Sequence, residues 1–409
     1  LPEKRLPKVF RALAHRNFRL FAGGQLLSLT GTWMQNAAQS WLVYRLTGSS
    51  LLLGTVSFAS QIPIFLLSPL GGAAADRYNR RRVVIGTQVS AMVLAFLLAV
   101  LTLSARVQVW HIVTLALLGG VVQAFDTPAR QSLFIELVGP QDLLNAIALN
   151  SSMFNTARML GPAVAGVVVA SAGEGWCFLA NAISYLAVIA GLLMMRLAPS
   201  AAPASQGRMG AELLEGFRFA WQAETIRTLL LMLGISSLLG SPYVVLLPVF
   251  ARDVLGGGPR TLGWLMGAVG LGALVGALSV AAKTGVRGLG RTVRYASAGF
   301  GVSLLAFSMS RRLEISILLL VPTGFSLMTQ MACSNTLIQT TVPDRIRGRV
   351  MALYSMMIMG MAPFGALLAG FLAQHLGAPA TVALGGAACL AASVVYWRQL
   401  ASRAELGLP

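Results

Sequence analysis

Three ionisable residues stand in stretches of this chain that are otherwise apolar: Asp126, Arg130 four positions on, and Arg158. An acid among guanidinium groups in such a setting fits two chemistries. It can bind and release a proton as the balance between burial and neighbouring cations changes, while the second arginine draws in an anionic group such as a carboxylate or catecholate. Alternatively, the three form a fixed ion-pair network that orients two helices, with Pro128 bending the backbone between them. The remaining polar residues in apolar stretches are neutral: Gln35, Asn36, Gln39, Gln61, Asn150, Asn155, Tyr243, Gln330, Asn335 and Gln339. Some of these are expected to line a cavity, and others to make interhelical hydrogen bonds worth about 0.6 kcal/mol each. Met356, Met357, Met359 and Met361 suit a pliable wall or plain core filling.

Enzyme chemistry has little to work with. The three histidines, His15, His111 and His375, fall at segment ends, and neither an HExxH pair nor a Walker-type phosphate loop is present. Cys177, Cys333 and Cys389 show no metal-ligand spacing and read as small core residues, so no metal and no cofactor is expected.

The elements that must position these residues follow from composition. Of 409 residues, 56% are hydrophobic and 11% charged, and the mean hydropathy of +0.73 is that of a membrane protein. Twelve helices of about 20 residues would take up about 240 residues, which matches the apolar share. Cutting at charged or Pro/Gly-rich breaks predicts helices near 17–45, 50–76, 82–104, 108–138, 142–171, 175–197, 225–254, 260–284, 290–310, 313–341, 344–373 and 377–399. Stretches such as Ile183 to Leu193 are apolar all round, which excludes the alternating pattern of a membrane β-barrel. The fold class expected is therefore all-α, with twelve transmembrane helices. The first helix is too long for a signal peptide and lacks a cleavage-like site, so it is expected in the mature protein.

The net charge of +18 raises the question of nucleic acid. Its distribution answers differently. With both termini placed in the cytoplasm, 23 of the 31 basic residues fall in inside segments and six outside, the other two being Arg130 and Arg158. This is the positive-inside bias of a multi-pass membrane protein, and no nucleic-acid partner is expected.

Near the middle, residues 198–224 form a Pro/Ala/Ser-rich linker separating 1–197 from 225–409. Within it Leu213, Leu214, Phe217 and Trp221 recur at helical spacing, which fits either an amphipathic helix on the membrane surface or a solvated linker helix. At a constant offset of 204, residues such as Ala148, Leu149, Gly161, Ala165 and Gly166 meet identical Ala352, Leu353, Gly365, Ala369 and Gly370. The repeat predicts two pseudo-symmetric six-helix bundles, the architecture of alternating-access transporters.

At the end of the second helix, Gly72-Ala-Ala-Ala-Asp76-Arg77-Tyr78-Asn79-Arg80-Arg81-Arg82 resembles the signature loop of the major facilitator superfamily. Gly72 would permit close helix approach and Asp76 could cap a helix N-terminus. Asn79 stands where that family usually has glycine, and asparagine tolerates a left-handed backbone. Asn17-Phe-Arg-Leu-Phe21, Gly31-Thr-Trp-Met-Gln35, Phe125-Asp-Thr-Pro-Ala-Arg130, Arg158-Met-Leu-Gly161-Pro162-Ala163 and Arg347-Gly-Arg349-Val350 narrow the resemblance to the drug and siderophore exporters related to the enterobactin exporter and macrolide efflux proteins.

That resemblance implies the major facilitator fold and several roles. Asp76 would cap the eleventh helix near Arg347 and Arg349, and Arg80 would pair with Glu136, latching the two halves when the outside is open. Gly161, Pro162 and Gly166 resemble the exporter-associated antiporter motif of helix five, although simple helix packing explains such a run equally well.

The function expected is export of small amphipathic organic molecules, drugs or siderophores, by alternating access with proton antiport. The chain is taken as a monomer among the lipids of a bacterial inner membrane. The alternatives are a lysophospholipid translocator of the same fold and, from another class, a membrane receptor or enzyme.

Overall fold

The computed structural model describes residues 8–196, 217–283, 285 and 288–405, and every regular element among them is helical. A short turn at Lys8–Ala14 precedes α1 (Arg16–Thr47), α2 (Ser50–Arg77), α3 (Arg80–Leu103), α4 (109–138), α5 (140–172) and α6 (Glu174–Met194). There follow α7 (Glu224–Val254), α8 (Pro259–Ala281), α9 (Leu289–Met309), α10 (Leu313–Thr341), α11 (Asp344–Leu376) and α12 (Ala378–Glu405). Among the described residues nine stretches are long and apolar enough to cross a membrane. One of them, Val109–Ala172, holds both α4 and α5, because Gly139 at φ +72° breaks it just before Pro140. The more polar α1 and α9 fall outside the nine.

The chain divides into two compact units, Leu1–Leu42 with Ala59–Ser205 and Val43–Phe58 with Gln206–Pro409. The tip of the first helical hairpin thus groups with the second unit, a departure from a division at the linker alone. Its contacts give the reason. Gln374 Oε1 accepts from Ser49 Oγ at 3.0 Å, Phe58 meets Phe364 edge-on at 5.9 Å, and the Tyr44 hydroxyl donates to Asp253.

In the first unit α3 packs against both α4 and α6, over a core that includes Phe18, Phe21, Leu133, Phe134, Leu137 and Leu192. In the second, α10 packs against α8 and α9, and α9 against α12. Of the linker's predicted amphipathic helix, Leu213 and Leu214 lie outside the described residues. Phe217 and Trp221 are exposed and stacked at 5.9 Å.

Prolines and glycines work in pairs here. Proline has no N–H to give the carbonyl four residues back. Pro128 leaves the Ala124 carbonyl without its intrahelical donor, and that carbonyl lies where a Cβ on Gly71 of α2 would sit. In the second unit the Leu238 carbonyl, four residues before Pro242, lies 2.6 Å from the position of a Cβ on Gly365 of α11. Proline also breaks the regularity of α7, where π turns at Ser236–Gly240 and Phe250–Val254 bracket Pro242 and Pro248. A Cβ on Gly272 or on Gly276 of α8 would come 2.8 Å from the backbone of Phe325 on α10, in the same close-packed manner.

Two sequence expectations are corrected. Close approach at the end of α2 belongs to Gly71, because a Cβ on Gly72 would meet nothing within 4 Å. Asn79 is not left-handed: at φ −61°, ψ 112° it is extended and caps α3 by accepting from Arg82 N at 3.1 Å. A helix N-terminus offers unpaired N–H groups, and an asparagine acceptor satisfies one without needing positive φ.

Substituting the two glycines separates the roles. Gly71→Ala should destabilise the purified protein by about 1–3 kcal/mol, since backbone of Ala124 and Phe125 must move, whereas Gly72→Ala should leave the melting temperature unchanged or slightly raised. Equal effects of the two in a thermal-unfolding measurement would contradict this packing.

Candidate functional site

Asp126 is 2% exposed on α4, with its carboxylate turned toward α3. Two successive residues of α3 reach one oxygen: Thr87 Oγ1 donates to Oδ1 at 2.7 Å and Gln88 Nε2 at 2.8 Å. Arg130, one turn along α4, pairs with Oδ2. A carboxylate has about four acceptor positions, and these donors fill most of them. Arg130 Nε is buried without a partner, so the guanidinium is less well satisfied than the acid it serves.

Neutral polar groups also join α6 to α1. The Tyr185 hydroxyl of α6 is 3.4 Å from Thr32 Oγ1 of α1. Nearby, Gln35 Oε1 of α1 accepts from Asn181 Nδ2 of α6 at 2.7 Å. Gly31 leaves room for this contact, since a Cβ there would come 2.6 Å from Asn181 Oδ1. Thr87, Gln88, Asn181 and Tyr185 were missed by sequence reasoning. Gln88 in an apolar run was a visible signal, but nothing in the sequence paired α3 with Asp126.

Arg158 of α5 reaches toward α1. Its guanidinium stands over the Trp33 ring of α1, 5.6 Å from the centroid, and Phe154 meets the same ring edge-on at 5.5 Å. Gly161 brings this about. A Cβ there would lie 2.6 Å from Trp33 Cβ and 2.9 Å from both Met34 N and the Thr30 carbonyl, so α5 seats directly on α1 and Arg158 falls one turn away, beside Trp33. Pro162 and Gly166 are buried in the same stretch. Gly161 thus packs α5 on α1, and that packing positions an arginine.

At the other end of the first unit, Arg80 Nη1 donates to Glu136 Oε1 at 2.8 Å, with the two side chains 14% and 18% exposed. Both residues belong to the first unit, so this pair braces α3 against α4 and is not itself a latch between halves. Arg81 donates to the Leu193 carbonyl at 2.8 Å, where α6 ends and a cation is favoured. Asp76 is half-buried and Arg77 exposed. Arg347 pairs with Asp344, one turn away on α11, and Arg349 lies on the same turn. Asp76 belongs to the first unit, and Arg347 and Arg349 to the second. The N-terminal segment is tied down by Asp142, which holds Arg11 at 3.3 Å and His15 at 2.9 Å.

The neutral candidates divide by burial. Asn155 donates to the Ser151 carbonyl of its own helix at 2.8 Å. Gln330, wholly buried, donates to Ser236 Oγ at 3.0 Å, and Tyr243, 2% exposed, packs on Phe300 at 6.3 Å. These three are internal to their units. Asn36 and Gln339 are exposed, and Gln39, Gln61, Asn150 and Asn335 are partly so. Gln339 donates to Asn335 at 2.5 Å.

A family model described as transmembrane secretion effector matches residues 8–405. The chain is 27% identical over 384 residues to the staphyloferrin A transporter of Staphylococcus aureus, covering 93% of this chain and 95% of that one. It is 30% identical over 372 residues to the multidrug efflux pump Tap of Mycolicibacterium fortuitum, covering 88% and 90%. Its fold matches a bacterial homologue of the iron transporter ferroportin, solved in an inward-facing state, with TM-score 0.72, 18% identity and coverage of 94% and 98%. The chain belongs to the transmembrane secretion effector family, within the major facilitator superfamily, and is a membrane transporter rather than an enzyme.

If Arg80 and Glu136 brace α3 against α4, a double-mutant cycle of Arg80→Ala and Glu136→Ala should show a coupling of about 1–3 kcal/mol in unfolding. A coupling indistinguishable from zero would remove the brace.

Proposed function

We propose that this protein is a secondary exporter of amphipathic organic molecules, drugs or siderophores, that works by alternating access and exchanges its substrate for protons at Asp126. The observation that carries the proposal is a carboxylate almost wholly buried in a membrane bundle, bonded to Arg130 but also to two neutral donors, Thr87 and Gln88. A charge in that setting costs at least about 2.5–3.5 kcal/mol on insertion scales. Arg130 offsets the cost only while it stays in place. A shift of α3 against α4 that withdraws Thr87 and Gln88 from the carboxylate would favour proton uptake, and their return would favour release.

The substrate-facing surface follows from exposure. Phe154 is 42% exposed, and Asn36, Ser151 and Ser152 are exposed on α1 and the first half of α5. Polar groups at such positions call for water or a ligand, not acyl chains. Arg158 over Trp33 supplies a fixed positive charge beside aromatic faces, which suits a planar or anionic part of an amphipathic molecule. The bias of basic residues supports a reading with both termini in the cytoplasm and the protein in a bacterial inner membrane. The protein acts as a monomer in this reading, and no cofactor takes part.

In inverted vesicles with an imposed pH gradient, a panel of drugs and siderophores should include at least one compound that wild type moves against its concentration gradient and stops moving when the gradient is collapsed. Asp126→Asn should abolish the gradient dependence. Persistence of pH-driven transport in that variant would overturn the assignment, and movement of labelled lysolipid alone would favour a lipid translocator. Arg158→Gln should raise KM for anionic compounds by about tenfold, a loss of about 1.4 kcal/mol, with little effect on neutral ones of similar size.

A further inference from the structure

We infer that the paired ends of α9 and α12 form a binding site for the phosphodiester headgroup of an anionic phospholipid, centred on Arg294. The seam between these helices is tight and polar in steps. A Cβ on Gly301 would lie 2.8 Å from Leu390 N, and one helical turn further Ser297 Oγ donates to Ser393 Oγ at 3.0 Å. One turn further again, Arg294 meets Trp397. Its guanidinium carbon lies 3.7 Å from the Trp397 ring centroid and 5.2 Å from that of Tyr295, and the two rings stand edge-to-face at 5.9 Å.

The aromatic faces fix the plane of the guanidinium but provide no hydrogen-bond acceptor, and Arg294 Nε is buried without a partner. No acidic residue occurs along α9, or along α12 before Glu405. A planar fork held in place, with a donor unused and no carboxylate along either helix before Glu405, is suited to a bidentate oxyanion such as phosphate.

The surroundings point to a lipid as the source of that phosphate. Tyr295 is 60% and Trp397 37% exposed, and the exposed surface continues into Val302 of α9 and Val394 of α12. An aromatic collar over an exposed aliphatic face is the arrangement found where spanning helices meet the headgroup layer. Exposed Arg291 and Arg398 add charge at the same ends, and basic pockets between spanning helices on the cytoplasmic side recognise anionic headgroups. Assignment to the inner leaflet rests on the proposed orientation. The binding test does not, because it is made in detergent.

The test uses native mass spectrometry of the purified full chain with phosphatidylglycerol or phosphatidylcholine of the same acyl chains. Wild type should retain phosphatidylglycerol preferentially. Arg294→Gln should weaken its apparent affinity about tenfold, the loss of one charge-assisted contact of about 1.4 kcal/mol, and Arg294→Lys, which keeps the charge but not the fork, should fall between. Arg106→Gln removes an equal charge far along the sequence and should have no effect. Equal retention by wild type and Arg294→Gln, or an equal loss in Arg106→Gln, would overturn the site. Displacement of the lipid by millimolar glycerol phosphate would assign the pocket to a soluble phosphate instead. If Arg294→Gln does not fold, full affinity in Arg294→Lys together with full affinity in Trp397→Leu has the same overturning force.

Discussion

A carboxylate that cannot reach water must be satisfied by the bundle that buries it, and in this protein that constraint falls on Asp126. Its partners come from two helices: Thr87 and Gln88 from α3, Arg130 from its own α4. Much of the first unit can be understood as what holds those helices in register. Arg80 bonded to Glu136 closes the same α3–α4 seam toward the end of α4. Gly71 lets α2 rest on α4 just where Pro128 leaves the Ala124 carbonyl without a donor. Proline and aspartate within three residues of one another, both costly in a regular apolar helix, are accommodated by two different neighbours.

Among the described residues, the second unit meets the same kind of cost without a buried carboxylate. Pro242 and Pro248 break α7 into π and 3-10 turns. Ser237 donates to the Ile358 carbonyl at 2.6 Å beside the π turn of α11, and Gly365 gives the Leu238 carbonyl its space. Charge in the first unit and backbone irregularity in the second are complementary assignments. Irregular helices with weaker ladders are where a membrane bundle can bend. Met356, Met357, Met359 and Met361 at the irregular turn of α11 add side chains that repack easily.

The helices were legible in the sequence because the bilayer imposes length and apolarity on each of them, and their boundaries could be taken from Arg, Gly and Pro. The break at Gly139-Pro140 is one case, and the start of α3 after Asn79 another. The buried charges were also legible, since an ionisable residue in an apolar run stands out by itself. Their partners were not. Nothing local to Asp126 names Thr87 or Gln88, which come from an antiparallel neighbour 38 or 39 residues earlier. Nothing local to Arg158 names Trp33, which reaches it only because Gly161 lets α5 press onto α1. Resemblance located the loop after α2 correctly, but which of two adjacent glycines makes the close contact depends on helical phase. One residue turns a side chain by about 100°, enough to move the contact from Gly72 to Gly71.

The central claim is that Asp126 exchanges a proton as substrate moves. It is tested most directly by measuring proton flux itself. Purified protein is reconstituted into lightly buffered vesicles with a pH-reporting dye inside, and an outwardly directed gradient of a transported compound is imposed with no initial pH difference. The account predicts that wild type drives protons in the direction opposite to the compound and that Asp126→Asn, folded and still able to exchange labelled for unlabelled compound, moves none. Proton flux in Asp126→Asn equal to that of wild type would contradict it.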